Sequence, residues 1–342
     1  MVAEKTKIHI KCQNGIDFNT ACKDIFWELT NEIEFIDSNN PDFILFGPYG
    51  NDIPEKGDYI RIGYFCENIT PNLSICDWGF GIPRDEEISN PRYRRIQWHG
   101  LNPNKLIKNL TDNEIDYIVN QKQNFCNFFY SHKVPYREHF FEELSKYKKV
   151  DAPGKSMNNM PSIDKKYTGN MWEQKRQFLN NYKFTIAFEN YVYPGYQTEK
   201  LYDSMLSNSL PIYFGDPFVG NIFNTGSFLN VLDYVEVSDS VWINALEQTG
   251  QMTLIDILPQ FHKNIRQRIL RKLKSIGRDL KMHYQFKNSN FKSIIDQIIE
   301  IDQNPDLYVK YLRQPWLNQN KVSDNYTLKS RWLEIFNGNN RQ

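Results

Sequence analysis

Six residues in the middle of the chain, GYQTEK at 195–200, set a glutamate beside a lysine where a helix begins. Gly195 permits a backbone conformation closed to most residues. The start of a helix leaves N–H groups facing any approaching anion, and Lys200 adds a full positive charge. Glu199 can accept hydrogen bonds from hydroxyl groups. The same letters also serve local structure alone, with Thr198 as N-cap, Glu199 in the first turn, and Leu201, Met205 and Leu206 as an apolar face. A second cluster, VDAPGKS at 150–156, ends what reads as a strand. It is not a P-loop, because the required first glycine falls on Lys149. It still presents Lys155 at the carboxyl end of a sheet, where α/β proteins bind ligands, the alternative being an ordinary exposed loop lysine. The acidic run Asp85-Glu86-Glu87 lies in a polar turn with no histidine near it, and the six histidines form neither HxxxH nor HExxH. No GxSxG elbow occurs. Metal-dependent and serine hydrolase chemistry are therefore weak readings.

The elements that must position these residues alternate. KIHIKC (7–12), PDFILFGPYG (41–50), YIRIGYF (59–65) and CDWGFG (76–81) read as strands of a parallel sheet, with a helix expected over 18–34. NPRYRRIQWHG reads as polar and basic turns. A helix containing LTDNEIDYIVNQK leads to a second series: FCNFFYS (125–131), a helix over 136–147, a strand ending at VDAPGK, a helix over 171–182, KFTIAFEN (183–190), the GYQTEK helix and LPIYFGD (210–216). A fresh βαβ series is what a second Rossmann-like domain looks like. The expected division is 1–123, 124–305, and a segment 306–342 packing back on the first domain.

At 342 residues, 40% hydrophobic and 24% charged, the chain is long enough for two cores. Forty-one basic residues balance forty-one acidic ones, which argues against a dominant attraction to nucleic acid or membrane and makes any phosphate-binding charge local. Residues 259–285 carry Ile265, Ile269, Leu273, Ile276 and Leu280 on one helical stripe among lysines and arginines. Core packing with a solvated basic face is the favoured reading, and contact with acidic lipid the other. No signal-type opening or apolar span of ~20 residues is seen, so the expected location is the cytoplasm. Five cysteines without zinc spacings read as reduced, mostly buried thiols. Glycosylation patterns at Asn68, Asn72, Asn109 and Asn325 read as coincidental.

Two α/β halves, a ligand edge in the second, carboxylates and local cations fit nucleotide-sugar transfer, which must stabilise a departing diphosphate and take a proton from an acceptor hydroxyl. FENYVYPGYQTEKLYDSMLSNSLPIYFGDP (188–217) resembles the donor-site signature of the α1,3/4-fucosyltransferases, glycosyltransferase family 10. The likeness runs back through CNFFYSHKVPYREHFFEELSKYKKVDAPGK to residue 125. YFCENITPNLSICDWGFG (64–81) resembles, more weakly, the acceptor-domain motif of bacterial members.

The resemblance implies an α/β fold of two Rossmann-like domains facing each other across a cleft, the GT-B type. It implies GDP-β-L-fucose bound by the second domain and inverting transfer to a GlcNAc hydroxyl of an N-acetyllactosamine-type or related glycan. Glu67 would be the general base. Lys155 and Lys200 would meet the diphosphate, with Arg137 a further candidate, Glu199 would bind the ribose or fucosyl unit, and Glu189, Asn190 and Tyr196 would line the donor pocket. No metal or other cofactor is required on this reading, a divalent ion being at most stimulatory. The partners are the donor and a glycan acceptor, without nucleic acid, and membrane contact is at most peripheral, at the inner face. Some bacterial relatives carry an arginine where this chain has Met157, ahead of Asn158 and Asn159, which leaves that phosphate work to Lys155. The heptad repeats and basic amphipathic tail of certain bacterial members are not seen. Two other readings stay open: a transferase of the same architecture using another GDP-sugar, and an inactive nucleotide-sugar-binding protein.

Overall fold

Ile8, Ile10, Ile44, Leu45, Ile62 and Phe65 are buried in neighbouring strands, as expected of a parallel sheet covered on both faces. The computed structural model describes residues 4–67, 69, 71–164, 166–237, 241–242, 262–286 and 289–338. The chain divides into two units, one of Met1–Leu101, Ala245–Asp279 and Ser323–Gln342, the other of Asn102–Asn244 and Leu280–Val322.

In the first unit, β1 (Thr6–Gln13), β2 (Ile33–Asp37), β3 (Phe43–Phe46), β4 (Ile60–Phe65), β5 (Trp78–Gly81) and β6 (Tyr93–Arg95) form a six-stranded sheet in the order β2-β1-β3-β4-β5-β6. Every pairing is parallel. Two strands depart from the sequence reading. The expected helix over 18–34 shrinks to α1 (Phe18–Thr20) and a π-helical turn, Ala21–Ile25. Pairing of IEFID with β1, from Thr6 against Ile33 to Ile10 against Asp37, outweighs the helix-forming glutamates around it. YRR, read as a turn, becomes β6 because Tyr93 buries its ring and donates its hydroxyl to the Pro83 carbonyl at 2.6 Å. The acidic run forms α2 (Asp85–Ile88) and is paired with arginines, Arg94 to Asp85 at 3.2 Å and Arg84 to Glu86 at 3.3 Å.

The second unit opens with α3 (Asp112–Gln121), started by a capping box between Thr111 and Glu114. Then follow β7 (Asn124–Asn127), α4 (Pro135–Ser145), β8 (Val150–Asp151), α5 (Met171–Leu179), β9 (Tyr182–Phe188), α6 (Glu199–Leu206), β10 (Leu210–Phe214) and β11 (Leu229–Asn230). The five-stranded sheet, order β11-β10-β9-β7-β8, is also parallel throughout. The helix expected over 259–285 is α7 (Ile265–Phe286), whose residues up to Asp279 are counted with the first unit and the rest with the second, residues 259–261 lying outside the described ones. Its expected core packing is not found: none of its residues is buried, and Ile265, Ile269, Leu273, Ile276 and Leu280 face outward. Met282 and Phe286, on a different arc of the helix, make its contact with the second core. No helix among the described residues is long and apolar enough to cross a membrane.

α8 (Lys292–Gln303) and α9 (Pro305–Arg313) add Ile294, Ile298, Ile301, Tyr308 and Leu312 to that core. The last return to the first unit therefore begins at Ser323 rather than 306, after the earlier one at 245–279, and the first division falls at Leu101 rather than 123, Ile118 of α3 packing with the second sheet. In the first unit α10 (Lys329–Asn337) stacks Trp332 on Phe80 at 4.2 Å, with Phe26 edge-on at 5.0 Å. All five cysteines are free, Cys76 and Cys126 buried and the other three half-buried. Asn68 lies outside the described residues.

Candidate functional site

β9 delivers Glu189 and Asn190 at its carboxyl end. The Glu189 carboxylate is fully buried. One oxygen accepts from the Thr198 N–H at 2.8 Å, and the other from the Thr198 hydroxyl at 2.7 Å and Lys200 Nζ at 3.3 Å. Thr198 does stand at the N-cap of α6, but its side chain does not cap the helix; the hydroxyl goes to Glu189, whose buried charge is the stronger acceptor. Lys200 also approaches Glu199 at 3.8 Å. Lys175 reaches Glu199 at 3.5 Å and Asp203 at 2.9 Å, and Arg176 reaches Asp203 at 3.1 Å.

Cations and carboxylates thus alternate along one chain, Arg176, Asp203, Lys175, Glu199, Lys200, Glu189. Burial pushes Glu189 above the ordinary carboxylate range, with Lys200 pulling the other way. Burial acts upward on Glu199 too, but Lys200 and Lys175 hold it down at about 2. Glu199 is therefore a fixed anion near neutral pH. Its side chain keeps 28% exposure against 14% for Lys200 and none for Glu189, so it is the most open of the three to a ligand hydroxyl.

The turn before α6 is shaped from β10. Asp216, fully buried, accepts from the Gly195 N–H at 2.8 Å, the Phe218 N–H at 2.9 Å and the Gln197 side chain at 2.6 Å. Gly195 sits at φ +82°, the left-handed region that favours glycine. Tyr196 is buried beside Tyr191, ring centroids 5.8 Å apart.

Arg137 stands in the first turn of α4, and its guanidinium is fully buried. It donates to the Asn190 side chain at 3.1 Å, the Phe188 carbonyl at 3.4 Å and the His132 carbonyl at 2.6 Å, and lies 3.7 Å over the Tyr130 ring. Nε is buried without a partner, and no described carboxylate pairs with the group. An arginine taken out of water without a counter-ion is costly, which makes this position a standing source of positive potential. Tyr130 joins it to the lysine loop. Its carbonyl accepts from the Ser156 N–H at 3.0 Å, and a Cβ on Gly154 would come within 2.1 Å of the same oxygen, so only glycine fits there. Asn159 clamps the loop to Ala152 and Val150, and Asn158 spans Gly154 and Met160. Lys155 is left exposed, with no hydrogen bond or ion pair to described residues.

Glu67 belongs to the first unit and follows β4. Its carboxylate accepts a hydrogen bond from the Tyr49 hydroxyl, and burial together with that bond raises the Tyr49 phenol, which stays a donor. Asn14 holds the Tyr49 loop by donating to the Gly47 carbonyl at 2.6 Å and accepting from the Asp52 N–H at 2.9 Å. Gly15, at φ +93°, leaves the space that Tyr49 occupies, since a Cβ there would lie 2.5 Å from that of Tyr49.

This geometry can be set beside known proteins. The family model described as glycosyltransferase family 10 (fucosyltransferase) C-term matches residues 119–250. The resemblance to family 10 is borne out. An alpha-(1,3)-fucosyltransferase of Helicobacter pylori is 27% identical over 294 residues, 75% of this chain and 57% of that protein. A GDP-fucose protein O-fucosyltransferase 3 of Xenopus tropicalis is 37% identical over 87 residues, 25% of this chain and 18% of that protein. The chain thus spans between 18% and 57% of the length of these two relatives. A crystallised alpha1,3-fucosyltransferase superposes with a TM-score of 0.65 at 21% identity, over 99% of this chain and 93% of that one. The fold, two parallel α/β units, is accordingly of the GT-B type.

Of the residues expected from the sequence, Glu189, Glu199 and Lys200 meet directly and Arg137 meets Asn190. Tyr196 lies in the same turn, and Lys155 does not touch Arg137: its loop reaches that residue through Tyr130 and the neighbouring Glu138, to which the Ser156 hydroxyl donates at 2.7 Å. Sequence reasoning missed Tyr130, Lys175, Asp203, Asp216 and Tyr49. For Tyr130 and Asp216 the available signal was a polar group one to three residues beyond a buried strand. For the other three no local signal exists.

Proposed function

We propose that the protein transfers L-fucose, with inversion, from GDP-β-L-fucose to a GlcNAc hydroxyl of an N-acetyllactosamine-type or related glycan, in α1,3 or α1,4 linkage. The observation that carries this reading is the charge balance of the second unit. The ion chain around Glu199 is neutral within itself, whereas Arg137 and Lys155 are cations without a carboxylate partner among the described residues. A nucleotide-sugar diphosphate has two negative charges before transfer and gains another as it leaves, so two surplus cations favour the departing group over the bound donor. Lys155 contacts the phosphates from the exposed loop, Arg137 acts through its field from beneath, and Glu199 takes hydroxyls of the ribose or fucosyl unit. Glu189, closed to solvent, holds Thr198 and Lys200 in place.

On this proposal Glu67 takes the proton from the attacking acceptor hydroxyl as the new C1–O bond forms opposite the breaking bond to GDP, whose oxygen leaves with the electron pair. Tyr49 orients the accepting carboxylate. Support for the donor comes from solved neighbours with GDP and with GDP-fucose. Of these two relatives one carries a protein acceptor in its name and the H. pylori protein only the alpha-(1,3) linkage, so the glycan acceptor rests on the motif resemblance of the sequence. With cations supplied by side chains, no divalent metal is needed for turnover. The five free cysteines favour a reducing compartment such as the cytoplasm.

Labelled GDP-fucose incubated with the full chain and a panel of GlcNAc-terminated oligosaccharides, followed by linkage analysis, tests the reading. Transfer only from another GDP-sugar would replace the donor, and binding without any transfer would make the protein a binder. The same assay in EDTA should retain most activity; complete loss restored by Mn²⁺ would overturn metal independence.

A further inference from the structure

The outward face of α7 takes no part in this chemistry. At 3.6 residues per turn, Ile265, Ile269, Leu273, Ile276, Leu280 and Tyr284 fall within about 100° of arc. Their exposures are 71%, 55%, 59%, 46%, 44% and 54%, a continuous apolar stripe along a 22-residue helix. An apolar face of this length on a soluble surface marks a site of contact. Seven lysines and arginines accompany it against one acid, Asp279, with Arg266 and Lys272 at the two edges of the stripe. At its far end the helix is tied down by Met282 and Phe286, Phe286 lying 4.5 Å from the Tyr136 ring and 5.4 Å from Phe214. These two residues sit on another arc, so docking to the second core leaves the stripe outward.

We infer that α7 is an interfacial helix that lies on an anionic lipid surface. The charge decides the occupant. Two copies pairing through the stripe would bring both sets of cations together, and like charges in contact are costly. A bilayer with acidic headgroups instead takes the Ile and Leu side chains into the acyl boundary and the lysines and arginines onto its phosphates and carboxylates. The inference does not depend on the transferase reading, since none of these residues belongs to the candidate site.

The test is co-sedimentation of the full chain with vesicles of phosphatidylcholine containing about one-third phosphatidylserine, and with phosphatidylcholine alone. Binding is expected to the mixed vesicles only, and to weaken as salt rises from about 0.1 to 0.5 M. Ile269→Glu/Leu273→Glu/Ile276→Glu should lower the bound fraction at least ~10-fold without moving the melting temperature, because the replaced side chains are exposed. Arg268→Gln/Arg271→Gln/Lys272→Gln should weaken binding and its salt dependence together. Failure to bind mixed vesicles, or undiminished binding by the glutamate variant, overturns the inference. So does a concentration-dependent dimer, abolished by the glutamate variant, in a chain that ignores lipid.

Discussion

Lys200 can be removed by Lys200→Met, which keeps the aliphatic stem and deletes the charge. By helix propensity alone the change would cost a few tenths of a kcal/mol. The structure sets a larger figure. Among the described residues Lys200 is the only cation paired with Glu189, whose carboxylate is fully buried, and it lies 3.3 Å away. Breaking a buried pair from one side costs ~3–5 kcal/mol. Two hydrogen bonds from Thr198 remain, and Glu189, already displaced upward by burial, can take a proton, so the lower end applies, ~3 kcal/mol. Glu189→Gln/Lys200→Met leaves no unpaired charge and should regain ~2 kcal/mol of that loss. Urea unfolding of the wild type, both single variants and the double variant gives the coupling. A single Lys200 variant within 1 kcal/mol of wild type, or an additive cycle, would refute the argument. The double variant also separates fold from function: calorimetric GDP-fucose affinity unchanged in that stable protein would remove Lys200 from the donor contacts.

Other outcomes follow from the same geometry. Glu67→Gln should lower kcat about 10²-fold or more with GDP-fucose affinity unchanged, and near-normal turnover would take Glu67 out of the mechanism. Lys155→Ala should leave the melting temperature alone, since the side chain is exposed and unpaired, yet weaken donor binding by ~1.5–3 kcal/mol; equal affinity by calorimetry would count against it, and Met157→Arg should restore part of the loss. Glu199 sits at about 2 against an ordinary 4.5, so its stabilising contribution is complete above about pH 4.5 and is lost as pH falls toward 2, an amount of ~3 kcal/mol. Glu199→Gln should flatten the acid side of the stability profile, and parallel wild-type and variant curves would show the network contributes nothing.

The legible parts of this chain were those whose cause is local. GYQTEK could be read because its glycine, glutamate and lysine lie within six residues, and the alternation of strands and helices announced two parallel sheets. IEFID was missed as a strand, its first two residues going to the expected helix, because what makes it one is pairing with β1, some 27 residues earlier. Thr198 was assigned to a cap because its competitor, Glu189, acts from another element. Lys175 and Tyr49 escaped for the same reason, their partners being 24 and 18 residues away. On α7 the period showed an apolar stripe, but period alone cannot say whether a stripe is covered, and here Met282 and Phe286 rather than the stripe meet the core.

Strand order explains why the candidate residues gather where they do. Taken within each unit, both sheets begin with the second strand beside the first and the third on its other side, so the order reverses once, between β1 and β3 and between β7 and β9. Open α/β sheets leave a crevice at the carboxyl ends of strands at such a reversal. In the first unit that place is built from Asn14, Gly15 and Tyr49, and Tyr49 carries it on to Glu67. In the second it is where Tyr130 and Arg137 meet Phe188 and Asn190. Topology therefore gives two equivalent positions and does not distinguish them. Side-chain chemistry does: a phenol and a carboxylate at the first suit proton removal, whereas a buried, uncompensated guanidinium at the second suits an anion. The division of labour proposed for the two units follows from that difference in charge, and exchanging it, with the diphosphate at Glu67, would set like charges against each other.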